Sequence, residues 1–266
     1  MRKEVAFVGS IPEIYDHYMG PMLFEPYARE LASRFVGFSG DILETACGTG
    51  RVTRVLAQAT DGGTIIATDL SDAMLAKAAE VVEDPRVSFR QADACDLAFP
   101  DDSFDAIVCQ FGVMFFPDKL KAFGEAKRTL RSEGKFVFSV WDEIEKNELC
   151  QVFHEVVASC FPDDPPQFLL KGPFSYHDKG MIEDQLKRAG FNSPTFETVR
   201  LVTPSLSANN AATGLCKGSP LIAEIQERAP GREQEVVNAV ESAFRARFGQ
   251  QDLKPQGQAI VITATG

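Results

Sequence analysis

Between residues 39 and 140, short apolar runs alternate with stretches in which apolar residues recur every three or four positions. The runs are typical of buried strands, and the periodic stretches are typical of amphipathic helices. The pattern predicts strands at 41–45, 64–69, 87–91, 104–110 and 134–140, with helices at 50–59, 72–82 and 118–131. Strands that alternate with helices indicate parallel βαβ units, so we expect an α/β fold.

The rest of the chain is more helical. Residues 1–38 are amphipathic, and Pro21 and Pro26 are expected to interrupt any continuous helix there. Later segments predict helices near 148–160 and at 179–190, a sixth strand at 195–203, a helical insertion at 206–249 and a last strand at 258–264. A proline-rich break at 161–166 separates the first of these helices from the next segment, which indicates another insertion.

The first predicted strand ends at Glu44 and is followed by a glycine loop, Cys47-Gly48-Thr49-Gly50. Glycine tolerates positive φ and lets the backbone approach a ligand closely. The helix that follows begins with unpaired N–H groups, which suit a carboxylate or a phosphate. A strand, glycine loop and helix start together predict a binding loop.

Two further strands also end in acids. Asp69 lies 19 residues after Gly50 at the end of the second strand, where an acid commonly binds ribose hydroxyls. Ser71 is placed to cap the next helix, and the third strand leads to Asp93. The spacing predicts a nucleoside-like ligand at one edge of the sheet.

These motifs resemble the class I S-adenosylmethionine-dependent methyltransferases, in particular the small-molecule branch (methyltransferase type 11/25) that includes the ubiquinone/menaquinone methyltransferases. The resemblance covers roughly residues 11–140 and is carried by the segments at 44–50, 69–75, 91–94 and 97–105. One departure is the turn at 130–136, where the family more often has Pro-Gly-Gly.

The resemblance implies a Rossmann-like, doubly wound, seven-stranded sheet, mostly parallel with an antiparallel last strand, and helical cap insertions. The expected organisation is an N-terminal helical lid at 1–38, a cofactor-binding core at 39–140, cap insertions at 141–180 and 206–257, and the remainder of the core sheet at 181–205 and 258–266.

It also implies which residues bind S-adenosylmethionine, whose product would be S-adenosylhomocysteine. Glu44 would approach the ammonium of the methionine end, and Gly48 and Gly50 would let the backbone pass under the methionine and ribose. Cys47, in the same loop, stands where the family accepts either Cys or Gly.

On the adenosine side, Asp69 would bind the ribose hydroxyls, while Leu70 and Met74 would flank the adenine. Asp93 would accept the exocyclic amine, with the Ala94 N–H beside it. These roles place the nucleoside along the ends of the second and third strands.

Near the sulfonium, Gln110 and Phe111 would line the exit of the fourth strand, and Tyr15 and Tyr18 fit the family's N-terminal lid. Methyl transfer depends mainly on alignment of the acceptor with the methyl group. A general base is needed only if the acceptor must lose a proton early. The weak candidates for such a base are His17, His154 and His177.

The composition and charge of the chain limit the classes of partner that we expect it to bind. A formal net charge of −11 without a lysine- or arginine-rich cluster disfavours nucleic acid and an anionic membrane surface. Six cysteines without a Cys-x-x-Cys pair favour reduced thiols and predict no metal site. No signal peptide and no apolar run of about 20 residues is evident, so we expect a cytoplasmic protein, with a homodimer left open.

Other interpretations remain open. A nicotinamide-dependent oxidoreductase would need Gly or Ala at position 53, where this chain has Thr. A relative that binds the cofactor without catalysis would keep the same motifs. Apolar residues such as Met114 and Trp141 after the fourth and fifth strands favour a small apolar or aromatic acceptor, but oxygen, carbon and nitrogen acceptors all remain open.

Overall fold

The five strands predicted between residues 39 and 140 are present in the computed structural model, which describes residues 11–266. They form one sheet with two strands from the C-terminal half of the chain. The seven strands are β1 (Ile42–Thr45), β2 (Ile65–Asp69), β3 (Val87–Gln91), β4 (Phe104–Gln110), β5 (Leu130–Trp141), β6 (Asn192–Val202) and β9 (Gln256–Thr265). The strand β5 begins four residues earlier than predicted, in the segment that the sequence favours as a turn.

The strand order is β3-β2-β1-β4-β5-β9-β6. The first five strands pair in parallel, and β9 pairs antiparallel with β5, so the predicted mostly parallel sheet with an antiparallel last strand is confirmed. The chain winds outward from β1 in both directions, through β2 and β3 on one side and β4 and β5 on the other. This order places a crevice outside the carboxyl ends of β1 and β4, where open α/β sheets bind ligands.

The chain divides into two compact units. The sheet unit comprises Ala28–Trp141, Tyr176–Val199 and Ala259–Gly266. Its helices are α2 (Glu25–Ser33, from residue 28), α3 (Arg51–Ala59), α4 (Asp72–Val81), α5 (Lys119–Thr129) and α8 (Lys179–Arg188). Leu31 and Phe35 pack in one buried apolar cluster with Ile42 of β1 and Leu56 of α3. Residues 28–38, expected as the end of the lid, thus lie in the sheet unit, and the lid itself stays a prediction.

The described part of the helical unit covers residues 11–27, Asp142–Ser175 and Arg200–Gln258. Its helices are α1 (Ile11–Ile14), a π-helix (Tyr15–Phe24), α6 (Glu148–Cys160), α7 (Phe168–Lys171), α9 (Ala208–Lys217), α10 (Leu221–Arg228) and α11 (Glu233–Phe248). Two short strands that the sequence did not predict, β7 (Ser205–Ser207) and β8 (Gln251–Leu253), pair antiparallel beside these helices. Across residues 11–266, no helix is both long enough and apolar enough to cross a membrane.

The expectation that Pro21 and Pro26 interrupt the N-terminal helix was wrong, because the chain is helical without a break from residue 11 to residue 33. Pro21 lies inside the π-helix, and the Glu25 N–H donates to the Gly20 carbonyl five residues earlier. This wider register accommodates a proline, which has no N–H to donate. Pro26 is the second residue of α2, directly after the π-helix. The part of the predicted lid at residues 1–10 lies outside the described residues.

Candidate functional site

The loop between β1 and α3 has an unusual backbone. Ala46, Gly48 and Gly50 all have positive φ, at 53°, 55° and 78°. A positive φ is strained for alanine and persists only where the surroundings enforce it, which is common at functional sites. The Cys47 N–H donates to the Thr68 carbonyl at 2.9 Å, and the Gly50 N–H donates to the Cys47 carbonyl at 3.0 Å. These bonds fix the loop against the neighbouring strand.

The two glycines in this loop serve different purposes. Apart from Gly48 and its two chain neighbours, no atom of the described residues lies within 4 Å of the position that a β-carbon on Gly48 would occupy. A β-carbon on Gly50 would lie 2.9 Å from Cβ of Ala78 in α4. Gly48 therefore leaves open space beside the loop, whereas Gly50 lets α3 pack closely on α4. The open side of Gly48 fits the predicted approach of a ligand.

Asp69 joins this loop to the next one. Its Oδ2 accepts the Gly48 N–H and its Oδ1 accepts the Ser71 N–H, both at 2.9 Å. Ser71 caps α4 as predicted, because its Oγ accepts the Met74 N–H at 3.4 Å. Burial raises the pKa of Asp69, and the backbone donors oppose that rise. The two carboxylate oxygens have about four acceptor positions, so they can also accept ligand hydroxyls.

Glu44, the next-to-last residue of β1, is only 1% exposed. Thr53 Oγ1 of α3 donates to Glu44 Oε2 at 2.6 Å. Burial raises the pKa of Glu44 to about 8, and the negative charge of Asp69 adds to the rise. The carboxyl is therefore mostly neutral at pH 7 unless a cation approaches it.

The residues expected around the adenine lie at the ends of β2 and β3. Leu70, directly after Asp69, is 63% exposed, while Met74 is buried on the first turn of α4. Asp93 is exposed, and its Oδ1 accepts the Cys95 N–H at 2.8 Å, so it caps a local turn. Ala94 is half-buried in that turn. An exposed leucine beside the half-buried Asp69 carboxylate suits an apolar ring with a polar sugar.

At the end of β4, Gln110 is half-buried and Phe111 is buried with a φ of 52°. The Phe111 N–H donates to the Ser139 carbonyl of β5 at 3.0 Å, and the Phe111 ring stacks on Trp141 with centroids 3.8 Å apart and planes 5° apart. A second strained residue thus supports an aromatic pair at the carboxyl ends of β4 and β5.

The loops after β1 and β4 lie against each other. A β-carbon on Gly112 would be 2.6 Å from Cβ of Ala46. Glu44, Gly48, Asp69 and Phe111 accordingly belong to one continuous edge of the sheet, at the crevice where the strand order reverses.

Cys47 makes a different contribution from these residues. Its side chain packs in a small apolar cluster with Ala67 and Leu75, and burial raises the pKa of its thiol. Its backbone N–H and carbonyl both make the loop bonds described above. Cys47 thus shapes the loop, and its predicted contact with the cofactor stays a prediction.

The other predicted residues are spread over both units. Tyr15 and Tyr18 lie on the π-helix of the helical unit, where Tyr15 stacks on Phe24 with centroids 4.8 Å apart. The exposed His17 meets Tyr18 edge-on at 4.6 Å. These two tyrosines stay predictions as lid residues.

Of the remaining histidines, His154 is half-buried on α6 of the helical unit. His177 belongs to the sheet unit and follows Tyr176, whose ring lies 4.9 Å from Nζ of Lys119 at the start of α5. A role as general base stays a prediction for His17, His154 and His177 alike.

Sequence reasoning missed Thr53 as a site residue. It was considered only as a mismatch to the dinucleotide fingerprint, but its side chain is fully buried and holds the Glu44 carboxyl. The available signal was a hydroxyl on the apolar face of α3, among Val52, Val55 and Leu56. A polar residue on such a face needs a hydrogen-bond partner.

Comparisons with known proteins agree with this geometry. Residues 43–138 match the family model described as a methyltransferase domain. A demethylmenaquinone methyltransferase of Clavibacter sepedonicus is 40% identical over 157 residues, which cover 59% of this chain and 55% of that protein. The chain spans about half the length of the curated relatives it matches first.

Solved structures show the same fold at low sequence identity. A phosphoethanolamine N-methyltransferase of Haemonchus contortus, solved with S-adenosyl-L-methionine, is 17% identical, with a TM-score of 0.58 over 97% of this chain and 60% of that one. The [4+2]-cyclase SpnF is 20% identical, with a TM-score of 0.56 over 91% of this chain and 80% of that one. Taken with the strand order, these matches show that the chain has the Rossmann-like fold of the solved methyltransferases and that residues 43–138 are similar to the methyltransferase domain family.

Proposed function

We propose that this protein is an S-adenosylmethionine-dependent methyltransferase that acts on a small apolar or aromatic molecule. One observation carries the proposal. At the crevice where the strand order reverses, the open backbone of Gly48 is bonded directly to the Asp69 carboxylate, with the buried Glu44 carboxyl behind it. A carboxylate for a ribose and a second one for an ammonium are the two groups that the cofactor requires.

The residues present fit the cofactor. Asp69 would accept the ribose hydroxyls with the lone pairs left over from its two backbone donors. Leu70 and Met74 would flank the adenine, and the second carboxylate oxygen of Asp93, with the Ala94 N–H, would bind its polar edge. Glu44 would compensate the ammonium charge, and Gly48 would leave room for the methionine chain.

Bound S-adenosylmethionine supplies a methyl group that is already activated by its sulfonium. The protein therefore has to hold the acceptor in line with that methyl group and exclude water, and alignment of this kind supplies about 7–11 kcal/mol. Gln110 and the stacked pair of Phe111 and Trp141 are the residues that we assign to this task. Tyr15 and Tyr18 would close on the methionine end.

The aromatic pair favours a flat apolar acceptor, since aromatic rings pack best on other aromatic surfaces. The names of the curated relatives point the same way, because they include demethylmenaquinone and ubiquinone/menaquinone methyltransferases. A quinol ring is thus the first acceptor to test. Nucleic acid is disfavoured by the net charge of −11.

Two alternative functions can be distinguished from this proposal. A relative that only binds the cofactor would bind S-adenosylmethionine without transferring its methyl group. A nicotinamide-dependent oxidoreductase is disfavoured because the buried Thr53 side chain fills the position where that fingerprint has a small residue.

The test is transfer of a labelled methyl group from S-adenosylmethionine to a panel containing a short-chain demethylmenaquinol, a phenol and an aromatic amine. We expect an apolar labelled product from the wild-type protein and much less from Asp69→Ala. Asp84→Ala is the matched control, because that carboxylate also accepts a backbone N–H, from Arg86, but lies before the amino end of β3. Cofactor binding with no transfer to any acceptor would favour the non-catalytic relative.

A further inference from the structure

Thr53 and Glu44 form a buried pair between α3 and β1. The Thr53 hydroxyl donates to Glu44 Oε2 at 2.6 Å, and both side chains are almost completely shielded from solvent. Among residues 11–266, no lysine or arginine contributes to the environment of the Glu44 carboxyl. A buried carboxyl with one hydroxyl donor and no cation is unusual, since buried charges are normally paired.

We propose that Thr53 is a positioning residue that orients Glu44 in its buried site, where this carboxyl keeps a proton in the free protein and releases it to solvent when the cationic amino group of the cofactor binds. The inference rests on the proposed function, because it takes S-adenosylmethionine as the ligand. It goes beyond that function because it makes the affinity for the cofactor depend on pH through Thr53 and Glu44.

The groups that face Glu44 explain why it stays protonated. Asp69 of β2 places a negative charge nearby, which opposes ionisation of Glu44. The thiols of Cys47 in the loop and Cys109 of β4 are uncharged near neutral pH, because burial raises the pKa of both. Among the described residues, the Thr53 hydroxyl of α3 is the one group that stabilises the ionised form, and burial outweighs it, so the pKa of Glu44 is raised to about 8.

An arriving ammonium reverses this balance. A positive charge close to the carboxyl favours its ionised form. The proton leaves Glu44 for the buffer, and the ammonium and the carboxylate then form a charge-assisted pair. Affinity below the pKa of free Glu44 should therefore rise about tenfold per pH unit.

The direct test is calorimetric titration at pH 6.5 in two buffers with different ionisation enthalpies, which counts the protons released on binding. The amino group of the free ligand is already charged at this pH, since α-amino groups have a pKa of about 7.7–8.0. We expect close to one proton released with S-adenosylmethionine and with S-adenosylhomocysteine. Methylthioadenosine, which lacks the amino acid end, should release none.

Variants separate the two residues of the pair. Glu44→Gln should release no proton and show a flat affinity between pH 6 and pH 7. Thr53→Val removes only the hydroxyl, which should move the midpoint of the pH profile upward by about one to two units and weaken binding at pH 6.5 about tenfold or more. Thr53→Ser keeps the hydroxyl and should show the same dependence of affinity on pH as the wild-type protein.

The outcomes distinguish this inference from the proposed function. No binding of S-adenosylmethionine to the wild-type protein would overturn both. Binding without proton release, or the same release from Glu44→Gln as from the wild type, would overturn only the inference. A pH profile that is identical in Thr53→Val and the wild type would show that Thr53 serves packing alone, and would also overturn it.

Discussion

Replacing Asp69 by alanine removes the carboxylate that holds two loops and, in the proposed complex, the ribose. The side chain accepts the N–H groups of Gly48 and Ser71 at 2.9 Å each. A hydrogen bond of this kind contributes about 0.5–1.5 kcal/mol, so Asp69→Ala should destabilise the free protein by about 1–3 kcal/mol. For a chain of this size the midpoint of thermal unfolding should fall by about 2–4 °C per kcal/mol.

The expected effect on the ligand is larger than this effect on the fold. Charge-assisted bonds to the ribose hydroxyls are worth about 1.5–3 kcal/mol, which corresponds to about 10- to 150-fold in the dissociation constant for S-adenosylmethionine. The assay is calorimetric titration of the variant, with circular dichroism to show that it is folded.

Asp84→Ala is the matched control for that assay. Asp84 accepts the Arg86 N–H at 2.8 Å and pairs with its guanidinium, but at the amino end of β3, opposite to the proposed site. It should lower the unfolding temperature and leave the affinity unchanged. Unchanged affinity in a folded Asp69→Ala protein would refute the assignment of Asp69 to the ribose.

Three further changes test the same site. Gly48→Ala should weaken cofactor binding at least tenfold while lowering the free energy of unfolding by only about 1 kcal/mol. Gly50→Ala should lower the free energy of unfolding more, because its β-carbon meets α4. Equal loss of affinity in both variants would contradict these separate roles of the two glycines. In the folded protein the pKa of Glu44 is raised from its ordinary value of 4.5 to about 8. The stability that this carboxyl contributes is therefore complete below pH 4.5 and is lost as the pH rises through 8, a fall on the order of 5 kcal/mol. Unfolding temperatures of the free protein should show this fall, and Glu44→Gln should remove it. Phe111→Ala should expose Trp141, the single tryptophan, and move its emission to longer wavelength; an unchanged spectrum would contradict the stacked pair.

The central strands could be predicted from the sequence because each is a short apolar run bounded by polar or glycine residues. The same feature located Glu44, Gly48 and Asp69, since the end of a parallel strand is also the edge of the sheet. These residues are close in the chain to the strands that position them. At this edge of the sheet, the apolar pattern of each strand is therefore enough to locate the residues that follow it.

Other features depend on contacts that a local pattern does not contain. The bond from Thr53 to Glu44 joins a helix to a strand nine residues earlier, and Gly50 is required by its approach to α4 as well as by its positive φ in the loop. The strands β7 and β8 have three residues each, too few to show a period of two. Pro21 was expected to end a helix, because a proline pattern does not reveal that the chain continues in a π-helical register.

The measurement that most directly tests the central claim is calorimetric titration of the wild-type protein with S-adenosylmethionine, with NAD as the control ligand. We predict micromolar binding of S-adenosylmethionine, with one site per chain, and no heat of binding with NAD. Binding of NAD, or no binding of S-adenosylmethionine, would contradict the account of this site.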